Sequence, residues 1–155
     1  MSRRIFRVCR AIHARLDGEG AKRVGGRWNS PGRAVVYMAE TVSLAVLENL
    51  VHMAREDFPT GYVVIAALVP EEIRILTEEE LAVESRPTTH RQLGDRRFDL
   101  CDSAVLEVRS TIVPFEHNYL LNPRHPGIAA ITIEPAVPFV FDERLFGPRR
   151  TPPRS

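Results

Sequence analysis

One loop near the N-terminus combines glycines with side chains that can bind an anion. The segment Gly25-Gly26-Arg27-Trp28-Asn29 places an arginine directly after two glycines, and glycine lets a backbone approach a ligand closely. The guanidinium of Arg27 could bind a phosphate or a carboxylate in a bidentate manner, and Trp28 could pack under the loop or stack on a base. The same pattern fits a glycine turn with a buried tryptophan and a solvated arginine, so both interpretations stay open.

A carboxylate lies at the edge of the apolar face of the helix predicted next. At about 100° per residue, Glu48 falls between Leu44 and His52, beside the stripe that is expected to contact the core. A carboxylate in this position is paired, protonated or lining a cavity, unless its head reaches water. His52 could be its hydrogen-bond partner or an ordinary neighbour on the helix surface. Glu48 is therefore a candidate catalytic residue.

Two polar residues later in the chain are further candidates. Ser110 follows the strand predicted at Ala104–Val108, where a hydroxyl can hold a ligand amide or phosphate or cap the next turn. Asn118 begins the segment Asn118-Tyr119-Leu120-Leu121-Asn122-Pro123 and could bind a substrate or satisfy the backbone of a loop. Both residues leave a ligand-binding role and a structural role open.

Motifs for several common chemistries are missing. Gly18-x-Gly20 is followed by Arg23 where a dinucleotide fingerprint needs its third glycine, and no Gly-Lys-Ser/Thr indicates a P-loop. No HExxH, CxxC or other close set of histidines and cysteines predicts zinc, so we expect no metal. No Gly-x-Ser-x-Gly elbow predicts a serine hydrolase.

Composition and charge limit the class of protein. A chain of 155 residues fits one domain, and 44% hydrophobic residues predict a buried core. A net charge of +1 argues against a general nucleic-acid-binding domain but is compatible with one local anion site. We find no apolar run that predicts a membrane span and no secretory signal at the N-terminus. Because the two cysteines are far apart and make no disulfide framework, we expect a reducing cytoplasm.

The elements that must position the candidates predict a mixed α+β domain. Thr41 is predicted to cap the one clear helix, which ends before Pro59. Turn residues predict irregular structure from Asp17 to Gly32, a helical turn is predicted at Glu78–Ala82, and polar composition predicts an exposed loop from Glu84 to Arg97. The apolar stripe of the helix is predicted to be Leu44, Leu47, Val51 and Ala54. Strands are predicted at Arg3–Val8, Ala34–Met38, Tyr62–Val69, Ile73–Leu76, Ala104–Val108, Ile128–Ile133 and Phe139–Phe141.

Taken together, these segments resemble the RES domain, a family named for its Arg, Glu and Ser whose members are toxins of bacterial toxin–antitoxin systems. The resemblance predicts a RES domain over 1–146, and the three prolines and three arginines of 147–155 predict a flexible C-terminal tail. GGRWN followed by NYLLNP is its most specific feature. The matching segments are DGEGA at 17–21, GGRWNSPG at 25–32, VVY at 35–37, AVLENLVH at 45–52, LGD at 93–95, STIVPFEHNYLLNPRHP at 110–126 and FDERL at 141–145.

The resemblance implies a compact α+β fold related to the ADP-ribosyltransferase (diphtheria toxin-like) fold, with a pocket for NAD+. It implies that Glu48 is the catalytic carboxylate, that Arg27 binds phosphate and that Tyr37 lies beside the nicotinamide. Ser110 is implied as the strand-end hydroxyl of the site. Further implied contacts to NAD+ are Gly26, Trp28 and Asn118.

The resemblance also implies an activity and a partner. The chain would cleave the nicotinamide–ribose bond of NAD+, as a glycohydrolase or phosphorylase, with NAD+ as a consumed substrate. Protein mono-ADP-ribosylation from the same pocket and a non-enzymatic binding module remain alternatives, and the sequence does not choose the acceptor. The implied partner is a cognate Xre-like antitoxin with a helix-turn-helix part that covers the pocket. We expect no direct nucleic-acid binding by this chain.

Overall fold

Eight β-strands make up one sheet in the computed structural model, which describes residues 1–54, 58–82 and 89–147. The strand order is β4-β5-β6-β2-β1-β3-β7, with β8 also pairing with β3. The pair β4–β5 is parallel and the other described pairs are antiparallel. The strands are β1 Arg3–Arg10, β2 Val36–Ala39, β3 Tyr62–Val69, β4 Ile75–Thr77, β5 Val105–Arg109, β6 His117–Leu121, β7 Thr132–Ile133 and β8 Val137–Phe139.

Four α-helices accompany the sheet in the described part of the chain, which confirms the predicted α+β class. The longest, α4, has 11 residues, and no described helix combines the length and the apolar character of a membrane span. The helices are α1 Glu19–Val24, α2 Val42–Leu50, α3 Glu78–Ala82 and α4 His90–Leu100.

The sheet opens between its two central strands. β1 and β2 are neighbours, yet their register joins only Phe6 to Ala39, so the strands separate beyond this pair. Helix α2 packs against β1 beside the opening. There Asn49 Nδ2 donates to the carbonyl oxygens of Val8 and Ala45, both at 2.8 Å. Asn49 thus gives Val8 the hydrogen bond that a paired strand would otherwise supply.

Alternation along β2 sends its side chains to two sides of the sheet. Val36 and Met38 pack with Tyr119 in one core cluster. Tyr37 and Ala39 point to the opposite side, where each contacts a separate apolar cluster. The candidate residue Tyr37 therefore lies on the face of the sheet that α2 covers.

Most of the predicted strands are confirmed, with shifted ends. Tyr62–Val69 is predicted to the residue, and Arg3–Val8 continues to Arg10. The prediction at Ile128–Ile133 is wrong for its first part, because Pro126 begins a 3-10 turn over Pro126–Ala130 and leaves a two-residue strand. The strand at 117–121 was not predicted, because its first residues are polar.

The segment from Asp17 to Gly32 is not irregular throughout, since it contains α1. Gly18 (φ 71°) and Gly25 (φ 79°) lie at the two caps of this helix in backbone conformations that favour glycine. These glycines therefore delimit a helix rather than prevent one. The predicted tail cannot be compared from residue 148 onward, because 148–155 lie outside the described residues.

The cap of α2 is confirmed, but its predicted apolar stripe is wrong beyond Leu44. Thr41 Oγ1 accepts a hydrogen bond from the backbone N–H of Leu44 at 3.0 Å. The residues of α2 that are buried are Leu44 and Ala45, whereas Leu47 is 38% exposed and Val51, beyond the last helical residue, is 57% exposed. The predicted stripe member Ala54 also lies outside the helix and is exposed. The helix is short and packs on β1 through the side that carries Leu44. The helical spacing therefore assigned Leu47 and Val51 to the buried face, although both are exposed.

The predicted exposed loop at 84–97 is wrong from His90 onward, because α4 begins there; residues 84–88 lie outside the described part. Thr89 and Gln92 form a capping box at its start. Its buried residues are Gly94 and Phe98. Because α4 buries only a glycine and one aromatic ring, it needs few apolar residues. Its polar composition is therefore typical of a loop, which explains the wrong prediction.

Gly94 predicts a steric test of this packing. A Cβ at Gly94 would overlap the carbonyl oxygen of Trp28, whereas a Cβ at Gly20, also helical, would meet nothing within 4 Å. We expect Gly94→Ala to lower the free energy of unfolding by about 1–3 kcal/mol, although alanine favours helices. Gly20→Ala should raise it by about 0.5 kcal/mol. Urea unfolding measures both, and a Gly94→Ala protein as stable as wild type would contradict the packing.

Candidate active site

Two neutral donors hold the carboxylate of Glu48. Glu48 is half-buried on α2, and its Oε1 accepts from Asn118 Nδ2 at 2.7 Å and from Ser110 Oγ at 3.2 Å. Asn118 lies on β6 opposite Ala39, so the strand register brings it to the side that α2 covers. His52, the partner considered from helix spacing, is exposed and donates nothing to Glu48 within the described residues. The orientation of the carboxylate is therefore set by β6 and by the end of β5.

Ser110 is a buried connection between the turn after β5 and Glu48. Its hydroxyl donates to Glu48 and accepts from the backbone N–H groups of Ile112 and Val113 at 3.2 and 3.1 Å. The turn-capping role and a contact within the site are thus both present. Ser110 is 1% exposed, so its hydroxyl lies beneath the surface that a ligand would touch.

The loop that carries Arg27 is fixed to β2 through Tyr37. The Tyr37 hydroxyl donates to Asn29 Oδ1 at 2.6 Å and accepts from the backbone N–H of Trp28 at 3.2 Å. Asn29 is fully buried, and its Nδ2 donates to the carbonyl oxygens of Ala21 and Arg33. The hydroxyl of Tyr37 is consequently used within the protein, which leaves the ring as the part that a ligand could contact.

Gly26 and Trp28 have structural reasons for their identity. A Cβ at Gly26 would lie 2.7 Å from the Tyr37 hydroxyl and 3.0 Å from Asn29 Oδ1, so the close approach that requires glycine is to the protein itself. Trp28 is 3% exposed and packs under the loop, with its ring stacked on His90 at 4.6 Å between centroids. Of the two roles considered for Trp28, packing under the loop is the one the structure describes.

A single open cavity of about 1380 Å³ brings the predicted residues together. Six of the seven predicted site residues line it, and the seventh, Ser110, contacts Glu48. The lining residues are Gly26, Arg27, Trp28, Tyr37, Glu48 and Asn118. The acid from α2 and the guanidinium from the glycine loop therefore share one hollow.

Strand β2 separates two parts of the cavity wall along its length. Ala39 is opposite Asn118, the residue that binds Glu48, and Tyr37 is opposite Leu120. Two residues of a strand span roughly 7 Å, so the Tyr37 row, which holds the Arg27 loop, is separated from the Glu48 row. A ligand contacting both rows must span at least this distance.

Positive charge is concentrated in the cavity although the whole chain carries only +1. Seven arginines and three carboxylates line it. Most described arginines elsewhere pair with carboxylates, as Arg4 does with Glu134 and Arg33 with Asp99. In contrast, six cavity arginines have side chains with no hydrogen bond or ion pair to any residue that the structure describes: Arg7, Arg10, Arg15, Arg23, Arg27 and Arg109. Uncompensated guanidinium groups favour a ligand with phosphates or carboxylates.

Sequence reasoning missed Arg7, which lies in the middle of β1. It is half-buried and lines the cavity. The signal was a cation between the apolar residues Phe6 and Val8 in the middle of a predicted strand. Arg91 and Asp95 were missed because their segment was predicted to be a loop.

Within the described ranges, no three histidine, cysteine, aspartate or glutamate side chains are grouped as a metal site requires. The polar groups of the cavity are guanidinium, carboxylate, amide and phenol. This set can bind an anion and stabilise a developing positive charge.

Comparison with known proteins points to one family. The RES domain profile matches residues 4–142. "Toxin Res" of Pseudomonas putida is 40% identical over 140 residues, which cover 88% of this chain and 96% of that protein. "Prs ADP-ribosylating toxin" of a Sphingobium species is 34% identical over 138 residues, 84% of this chain and 86% of that protein.

A solved structure shares the fold. The crystal structure of the M. tuberculosis MbcT–MbcA toxin–antitoxin complex contains a chain that matches with a TM-score of 0.66 and 18% identity. The match covers 90% of this chain and 85% of that chain. The similarity therefore extends through nearly the whole fold.

The buried phenol of Tyr37 predicts a stability change in alkali. Burial raises the pKa of Tyr37 to about 12, whereas an unfolded tyrosine titrates near about 10. The stability that depends on this proton is complete below about pH 10 and is lost as the pH rises towards about 12. Over that interval the free energy of unfolding should fall by about 2 kcal/mol more in wild type than in Tyr37→Phe. Urea unfolding at several alkaline pH values measures this, and equal pH dependence in the two proteins would contradict it.

Proposed function

The chain belongs to the RES domain family, and on that premise we propose that it is a toxin that cleaves the nicotinamide–ribose bond of NAD+. The observation that carries the proposal is the shared cavity, which Glu48 of α2 and Arg27 of the glycine loop both line. NAD+ has a pyrophosphate for the guanidinium and a reactive sugar for the carboxylate. NAD+ would be consumed as a substrate, so the reaction would deplete the cell of NAD+ and arrest growth.

Glu48 is the proposed catalytic residue. When the bond breaks, nicotinamide leaves as a neutral molecule and positive charge builds on the ribose as an oxocarbenium ion. A carboxylate near the sugar stabilises this charge or holds the 2′-hydroxyl, as glycosidase carboxylates do. Because Oε1 of Glu48 is bound by Asn118 and Ser110, Oε2 is the oxygen that would face the sugar. Ser110 and Asn118 are thus proposed to act by positioning the carboxylate.

Arg27 is proposed to bind the pyrophosphate. Its side chain is exposed, lines the cavity and is unpaired among the described residues. Binding energy from this remote part of the substrate would fix the sugar against Glu48. The ring of Tyr37, whose hydroxyl is used by the loop, would flank the nicotinamide. Gly26 and Trp28 would shape the wall beside it.

Protein mono-ADP-ribosylation is the second candidate, and the Sphingobium relative favours it, since that protein is named an ADP-ribosylating toxin. The two reactions share the cavity and differ in the acceptor, which is water or phosphate in one case and a protein side chain in the other. NAD+ labelled in its adenine separates them. Label in free ADP-ribose or its phosphate supports the first reaction, and label retained on protein supports the second.

A cognate antitoxin is the proposed partner. The solved structure with the same fold is a toxin–antitoxin complex, and the relatives in P. putida and Sphingobium are named toxins. We propose an Xre-like antitoxin with a helix-turn-helix part that covers the open cavity. NAD+ cleavage by the purified toxin should then stop when its antitoxin is added.

Glu48→Gln tests the catalytic role, because it removes the charge and keeps the size of the side chain. Nicotinamide release from NAD+ should fall by roughly 10²–10³-fold, while the unfolding transition stays cooperative. Glu72→Gln is the matched control, since Glu72 is exposed and outside the cavity, and it should keep the parent rate. If purified Glu48→Gln consumes NAD+ at the parent rate, the mechanism is wrong.

Arg27→Ala tests the phosphate contact. A lost charged hydrogen bond should raise the KM for NAD+ by about tenfold or more and leave kcat little changed. Arg124→Ala removes another exposed arginine, one that does not line this cavity, and should leave both constants unchanged. An unaltered KM in Arg27→Ala would exclude the residue from this role.

A further inference from the structure

Helix α4 contacts the residues on both sides of Arg27. On the N-terminal side, Arg91 Nε donates to the carbonyl oxygen of Gly26 at 3.1 Å. On the C-terminal side, the ring of His90 stacks on Trp28 with an interplanar angle of 12°. Gly94 lies so close to the Trp28 carbonyl that it has no room for a side chain. The first two turns of α4 therefore contact each neighbour of Arg27.

Asp95 adds the shortest hydrogen bonds between α4 and this loop. Its Oδ1 accepts from the backbone N–H of Ser30 at 2.7 Å, and its Oδ2 accepts from Ser30 Oγ at 2.5 Å. The carboxylate is 15% exposed, and its ion-pair partner Arg33 is 3.7 Å away. Charge-assisted hydrogen bonds in partly buried sites are among the stronger polar contacts in proteins. Both oxygens of Asp95 are committed to one residue of the loop.

The opposite side of the loop is held by β2. Tyr37 binds Trp28 and Asn29, and Gly26 N–H donates to the Asn29 carbonyl at 2.9 Å, which closes the four residues into a turn. The loop is thus fixed between β2 and α4. The Arg27 side chain is the exception, since nothing in the described chain binds it, so only the backbone sets where its guanidinium can reach.

We propose that Asp95 is a positioning residue for Arg27, and that α4 serves to hold the anion-binding loop in place. This inference rests on the proposed function, because it takes the pyrophosphate of NAD+ as the ligand of Arg27. Asp95 does not touch the substrate and does not line the cavity. It acts through Ser30, three residues along the chain from Arg27.

Asp95→Asn tests the inference, with Asp99→Asn as its matched control. An asparagine loses the charge assistance of both Ser30 contacts, because its oxygen is a neutral acceptor for one of them and its amide nitrogen can only donate to the Ser30 hydroxyl, which donates to Asp95 in the wild type. Asp99 lies one turn further along α4, is exposed, and pairs with Arg33 without contacting Ser30. Both changes remove one negative charge from the same helix. Any general effect of charge on the binding of an anionic substrate should therefore be the same in the two variants. Asp95→Asn should raise the KM for NAD+ about fivefold or more with kcat nearly unchanged, and Asp99→Asn should change neither.

A double mutant separates positioning from a general loss of structure. If Asp95 acts through Arg27, Asp95→Asn should raise KM no more than about twofold further in an Arg27→Ala background. An undiminished effect in that background would overturn the inference, as would equal KM values for Asp95→Asn and Asp99→Asn.

Ser30→Ala keeps the test valid if Asp95→Asn does not fold. It removes the hydroxyl contact and leaves the backbone N–H contact, so a smaller rise in KM is expected, and no rise would count against the inference. Failure of the proposed function looks different, because wild type itself would then leave NAD+ intact.

Discussion

The separation of β1 and β2 is the constraint on which the site depends. Two neighbouring strands that share one paired position cannot satisfy their facing backbone groups by sheet hydrogen bonds alone. Asn49 of α2 supplies one of the missing bonds, at the Val8 carbonyl, and thereby ties the helix to the opening. The same helix then presents Glu48 to Asn118 of β6. The opening between the strands and the position of the acid are consequences of one packing arrangement.

Charge is arranged around this opening in a way that the net charge conceals. Most described arginines outside the cavity pair with nearby carboxylates, as Arg33 does with Asp99, while six of the seven inside have side chains with no hydrogen bond or ion pair within the described residues. Only three carboxylates line the cavity beside its seven arginines. A nearly neutral protein can therefore have a strongly anion-attracting cavity, and Arg27 is a guanidinium in it whose backbone is held on both sides.

The sequence predicted correctly those elements that depend on interactions between residues close together in the chain. Thr41 caps α2, and Tyr62–Val69 is a strand, because a side-chain oxygen and a run of apolar residues act within a few positions. The buried side of α2 and the existence of α4 depend on what packs against them, so spacing alone misjudged Leu47. The family resemblance identified the residues that line the cavity. It could not provide the contact between Ser110 and Glu48, which joins residues 62 positions apart.

We propose that the cavity breaks one particular bond of NAD+, the nicotinamide–ribose bond. Purified protein should be incubated with NAD+, with and without inorganic phosphate, and the products identified by mass spectrometry. Our account predicts free nicotinamide equal in amount to the NAD+ lost, with the remainder as ADP-ribose, its phosphate or ADP-ribosylated protein. Recovery of intact NAD+ under every acceptor condition, or cleavage to nicotinamide mononucleotide and AMP, would contradict it.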